Sequence, residues 1–100
     1  FTFSAKLSGT ETGAEASYQL AAIAFQTGRM VEADARVYEL QENFAAYDYW
    51  VAKGFILLSD VFLKNGNEFQ ARQTLQSVLD NYKGPELGAV AKEKLDSLSN

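Results

Sequence analysis

The sequence has no cysteine and no histidine, a single proline, a single tryptophan and seven glycines in 100 residues. Each shortage removes a class of chemistry. Without cysteine there is no disulfide, no thiolate zinc site and no cysteine nucleophile. Without histidine the commonest general base and the commonest metal ligand are both missing. Hydrolysis by a nucleophile–base pair would need a serine and a lysine, and no spacing points to such a pair. The glycines fit no phosphate-cradling pattern. Basic residues are also scarce: nine Lys and Arg against thirteen Asp and Glu give a net charge of −4 and a pI near 4.7. They are scattered, whereas a nucleic-acid binder gathers them into a patch. The longest apolar run is broken by Lys53, Asp60 and Lys64, so no membrane-crossing segment is expected. These shortages together lead to the expectation of a non-enzyme without cofactor or metal, without a nucleic-acid partner and without direct membrane insertion.

What is present is the material of a helical core. Apolar residues make up 47 % of the chain, aromatics 13 % and charged residues 22 %, which is a folded composition. One hundred residues suit one domain. Few breakers and many Ala, Leu, Gln and Glu residues favour helix. The chain opens with Phe1, and residues 1–7 lack the basic start and apolar centre of a signal peptide, so it is read as a mature form or a piece of a longer chain. Phe3 and Leu7, one helical turn apart, fit either the tail of a helix or a loosely held terminus.

Helices are predicted in order. Thr12 to Thr27 has Thr12 and Glu15 at capping-box spacing, with Ala16, Leu20, Ile23 and Ala24 inward and Gly28 as its stop. Its alanines would let a neighbour approach closely. Met30 to Phe44 carries a single stripe of Met30, Ala33, Val37, Leu40 and Phe44, with Glu32, Asp34, Arg36, Glu39 and Glu42 in solvent. Asp48 is the expected N-cap of Tyr49 to Lys64, a helix apolar nearly all round and therefore expected to be buried on several sides. Asn67, with Gln70 three residues on, opens the next helix, whose stripe is Phe69, Ala71, Leu75, Val78, Leu79 and Tyr82. Gly84 is expected to supply a left-handed turn and Pro85 to start the last helix, with Leu87, Val90, Ala91, Leu95 and Leu98 on one face. Its other face is charged and would suit the wet end of a stack.

Laid against itself at an offset of 38 residues, the chain repeats: Ala14 meets Ala52, Leu20 meets Leu58, Gly28 meets Gly66, Ala33 meets Ala71, and Phe44 meets Tyr82. Core leucines, a turn glycine and a small residue at a helix crossing are the positions that packing would fix. On these residues the sequence resembles the tetratricopeptide repeat family, whose unit is a helix hairpin of about 34 residues. Ala14, Leu20, Ala21, Gly28 and Ala33 fall at the family's signature positions in the first unit, and Ala52, Leu58, Ser59, Gly66 and Ala71 in the second, with Phe62 at the aromatic position. Ser17 and Phe55 stand where the family has Trp, and Ala24 where it has an aromatic. The extra length falls between Phe44 and Tyr49. The resemblance implies an all-α, right-handed superhelix of about five antiparallel helices, a TPR-like solenoid in one domain. Repeat 1 would occupy about 13–47, repeat 2 about 48–84 and a terminal helix 86–98. The stretch from Phe55 to Tyr82 also resembles the C-terminal repeats of envelope-associated proteins of Bacteroidetes-type bacteria, which implies a periplasmic or outer-membrane-associated setting.

In such arrays the first helix of each hairpin lines a concave groove that holds a peptide or protein segment. The groove register carried over onto this chain is Glu15, Tyr18, Ala22, Phe25 and Gln26, then Lys53, Ile56, Asp60, Leu63 and Lys64, followed by Val90, Glu93 and Ser97. The basic-and-Asn set that clamps a C-terminal carboxylate is not reproduced, since only Lys53 fits it. Asp60, a charge in an apolar helix, would either face a ligand or pair with Arg29, Lys64 or Arg72. The functional expectation is a protein-interaction module. The alternatives are a structural spacer in a larger repeat protein, and a carbohydrate surface around Tyr49 and Trp50, which are otherwise packing aromatics beside a capping Asp48.

Overall fold

Two glycines set the layout. The computed structural model describes residues 11–82 and 84–99, and Gly28 and Gly66 have the only positive backbone φ angles among them, 82° and 78°. At each, a helix stops in the same way. The Arg29 N–H donates to the Ala24 carbonyl (2.8 Å) and the Gly28 N–H to Phe25 (3.1 Å), while the Asn67 N–H donates to Phe62 (2.8 Å) and the Gly66 N–H to Leu63 (3.1 Å). This is a Schellman stop, which needs a residue free of Cβ strain in the left-handed region.

The chain is all-α, with five helices and no strand among the described residues: α1 (Glu11–Gln26), α2 (Met30–Asn43), α3 (Asp48–Lys64), α4 (Glu68–Asn81) and α5 (Pro85–Ser99). None is long and apolar enough to cross a membrane. Each helix packs on the next, and the short turns make neighbours antiparallel. In addition α1 lies against α3, and α3 against α5, whereas α2 and α4 do not meet. The result is two layers, α1–α3–α5 and α2–α4, within extents of 42 × 30 × 17 Å.

The central helix α3 is buried on several sides, as its composition requires. Leu57, Leu58 and Val61 join Ala21, Ala24, Ala33 and Val37 in one cluster, and Ala52 and Ile56 join Leu75, Val78, Leu87 and Ala91 in a second. A third cluster, Ala14 with Leu40 and Phe44, closes the far end of the α1–α2 hairpin. Among the described residues the only polar side chains that are buried are small. Ser59 satisfies its hydroxyl on the Ile56 carbonyl at 2.6 Å, and Ser17 is the other. α1 buries nothing larger than alanine or serine, which brings α2 close. At the α2–α3 crossing Gly54 does the same work, since a Cβ there would lie 2.8 Å from Leu40 Cδ2.

Several local expectations are corrected. Thr12 lies inside α1 and does not cap it. Tyr47, not Asp48, is the N-cap of α3, without a side-chain cap bond, and Asp48 is the first helical residue, where its charge favours the helix dipole. Asn67 does cap α4, its Oδ1 accepting from the Gln70 N–H at 3.3 Å. Gly84 has no positive φ. A Cβ there would meet the Tyr82 ring, which would have to swing aside. Pro85 begins α5 as expected. Leu20 is only half-buried and Ile23 is 44 % exposed, because the inward stripe of α1 is Ala14, Ser17, Ala21 and Ala24. Phe69 is 69 % exposed, lying two residues (about 200°) round the helix from Ala71. Val90 is exposed too. The expectation for residues 1–9 lies outside the described residues.

Candidate functional site

The α1–α3–α5 layer presents an aromatic cluster closed around one cation. Tyr49, Trp50 and Lys53 share a turn of α3, and Tyr18 reaches them from α1. The Lys53 ammonium lies 4.9 Å from the Tyr18 ring centre, 5.2 Å from Trp50 and 5.7 Å from Tyr49. The Tyr49 and Trp50 rings meet edge to face at 5.0 Å, and Tyr18 and Trp50 are 5.9 Å apart. Trp50 Nε1 donates to Glu11 Oε2 at 3.3 Å, fixing the indole from the start of α1. Each cation–ring contact is worth about 0.5–2 kcal/mol, more as water is excluded. Among the described residues Lys53 has no carboxylate within ion-pair distance. It is a half-buried charge held, among the described residues, against three rings.

About two turns further along the same surface, Asp60 pairs with Lys94 of α5 at 3.1 Å. Neither Arg29, Lys64 nor Arg72 is its partner: Arg29 pairs with Glu32, and Arg72 with Glu68 and the Leu98 carbonyl. Burial, then the Asp60 charge, then Tyr49 push the Tyr18 hydroxyl above its ordinary range. The phenol is therefore a neutral donor at physiological pH.

Of the residues expected to line this surface, Tyr18, Lys53 and Asp60 are brought together, with Trp50 added to them. Ala22 and Phe25 are half-buried and pack partly on the α1–α2–α3 core. Leu63 is half-buried, while Glu15, Gln26 and Lys64 are exposed. Ile56 is a correction: at 7 % exposure it belongs to the α3–α4–α5 core, because α4 and α5 enclose the side of α3 on which it stands. Glu93 and Ser97 are exposed. The α5 residue that reaches Asp60 is Lys94, which the 38-residue offset from Ile56 does mark.

The opposite layer holds a feature that no motif announced. Because α2 and α4 do not touch, a furrow runs between them, floored by Val51, Phe55, Leu58 and Phe62 of α3. It comprises clefts of about 290 Å³ and 240 Å³ that share Phe55 and Ser77. Asp34 stands on the stripe of α2 that continues through Tyr38 and Gln41 into the furrow. Its Oδ1 is buried without a hydrogen-bond partner. Burial raises the Asp34 carboxyl above 3.8, and burial followed by the Asp34 charge raises the Tyr38 hydroxyl. A carboxyl raised in the folded state favours the fold while protonated, and that advantage is lost as pH rises through its folded value. Asp34→Asn is therefore expected to melt higher than wild type at neutral pH. The difference should vanish below the ordinary aspartate range near 3.8, as read by thermal melts across pH.

Among the described residues no group of three carboxylates is placed to hold a metal ion. No family profile matches the sequence, and no curated protein or solved structure matches it either.

Proposed function

We propose that the chain is a tetratricopeptide-like interaction module that binds a peptide or protein segment on the α1–α3–α5 face, rather than an enzyme. The observation that carries this reading is Lys53, a cation ringed by Tyr18, Tyr49 and Trp50 and without a carboxylate partner among the described residues. Rings supply rigid contact area at low entropic cost, and such aromatic anchors dominate binding energies. The ammonium supplies a charge that an acidic side chain of a partner would complete. The side-by-side placement of α1, α3 and α5 and the 38-residue internal repeat support the family reading. The envelope setting rests on the sequence resemblance alone.

Trp50 is the sole tryptophan, so its emission reports this face. Peptides selected from a random library against the protein are expected to shift that emission and to bind Lys53→Glu at least about tenfold more weakly, a change of about 1.4 kcal/mol. Peptides that bind the variant equally well and leave the emission unchanged would remove the reading.

One observation favours a structural spacer instead. Ile23 is exposed, yet Val61, its counterpart at the 38-residue offset, is buried in the α1–α2–α3 cluster. On this second reading α1 offers a preceding helix the same face that α3 offers α2. Selection that yields no peptide for the Lys53 surface favours it.

A further inference from the structure

The furrow between α2 and α4 differs in chemistry from the Lys53 face. Its walls carry mainly uncharged groups that both donate and accept, and among the described residues no ammonium or guanidinium lines either cleft. Along α4 one such residue stands on nearly every turn: Gln70, Gln73, Ser77 and Asn81. A turn advances about 5.4 Å, close to the advance of one pyranose unit in a linear glycan. Gln41 faces them from α2. The side-chain amides of Gln41, Gln70 and Gln73 make no hydrogen bond among the described residues. The Asn81 amide nitrogen is satisfied by Ser77, which leaves its oxygen as an acceptor. Tyr38, Phe55, Phe62 and Tyr82 supply ring surface within the furrow. Asp48 lines one cleft, and Asp34, whose charge acts on Tyr38 of the other, keeps an orphaned Oδ1.

We propose that this furrow is a binding site for a neutral, linear oligosaccharide, separate from the Lys53 face. Sugar hydroxyls both donate and accept, so they match amide and hydroxyl walls without requiring a counter-charge. Their C–H faces lie on aromatic rings, and their hydroxyls also donate to carboxylates. Among the described residues no cation lines the furrow to meet an anionic ligand. The two clefts, of about 290 Å³ and 240 Å³, are small and open, suited to a chain lying along the surface. The floor residues are set by the core of α3, so the site is largely formed before a ligand arrives.

The test is a titration of isotope-labelled protein with the neutral hexasaccharides of glucose, xylose, mannose and N-acetylglucosamine, followed by amide NMR. At least one sugar is expected to shift Gln41, Gln70, Gln73 and Ser77 while leaving the Trp50 indole in place. Gln73→Ala and Gln41→Ala are exposed substitutions that preserve the fold, and each is expected to weaken that sugar about tenfold. The proposal is overturned if none of the four sugars shifts the furrow at millimolar concentration. It is equally overturned if the shifts centre on Tyr18 and Trp50, or if both variants bind as wild type does. A selected peptide that occupies the furrow in place of sugar also overturns it. Because the Lys53 face is read separately through Trp50, failure here leaves the interaction reading standing, and the reverse.

Discussion

Leu58→Ala is expected to destabilise the protein by about 2–5 kcal/mol, the usual cost of truncating a fully buried leucine. Leu58 is 2 % exposed and sits in the cluster that joins α1, α2 and α3. Its side chain is also at the floor of the outer furrow, so the void would open beneath α2 and α4. For a domain of this size each kcal/mol lowers the melting temperature by about 4–8 °C. A variant that melts within a degree or two of wild type would contradict the burial. Leu20→Ala is the control. The repeat makes Leu20 the equivalent of Leu58, but Leu20 is only half-buried, and its truncation is expected to cost roughly 1 kcal/mol. Equal losses at the two positions would mean that α1 is packed like α3.

Gly54→Leu is expected to cost about 3 kcal/mol, at the upper end of core overpacking. The first added carbon alone would meet Leu40 Cδ2 at 2.8 Å and Val37 Cγ1 at 3.6 Å. Both neighbours are themselves buried, so neither side chain has room to swing aside. Leucine is a good helix former, and the gain of roughly 1 kcal/mol over glycine offsets part of the clash. Gly88 separates the two effects. It lies within α5 with open space around its Cα, and Gly88→Ala is expected to raise stability by about 1 kcal/mol. Chemical denaturation of both variants gives opposite signs if α2 and α3 cross at Gly54. The same sign for both would show that they do not.

The architecture was legible because a period exposes what single helices hide. The offset that pairs Gly28 with Gly66 marks two identical helix stops, and it pairs Ala33 with Ala71, both fully buried. The excess apolarity of α3 predicted burial on several sides, which the two clusters bear out. Spacing was less able to say which neighbour a given face would meet. Ile56 was placed on the groove, but it is enclosed by α4 and α5. Leu20, Ile23 and Phe69 have the hydrophobicity of core residues at positions where no described helix covers them. Caps failed where a polar residue stood one position off, as with Asp48 beside Tyr47. The ring contacts of Lys53 and the pairing of Asp60 with Lys94 depend on how far α1 and α5 stand from α3, and no local pattern records that distance. The outer furrow is less legible still, since it exists because α2 and α4 do not touch.

The place of α3 in both main clusters has a further consequence for how the molecule comes apart. Repeat stacks normally fray from their ends, each unit opening with a free energy of its own. Here neither hairpin owns the larger part of its core, the α1–α2 cluster of Ala14, Leu40 and Phe44 aside. Removing α1 and α2 uncovers Leu57, Leu58 and Val61, and removing α4 and α5 uncovers Ala52 and Ile56 of the same helix. A half-opened molecule therefore keeps a helix with one greasy side in water. That intermediate is costly from either direction, and the two hairpins open and close as a single all-or-none unit.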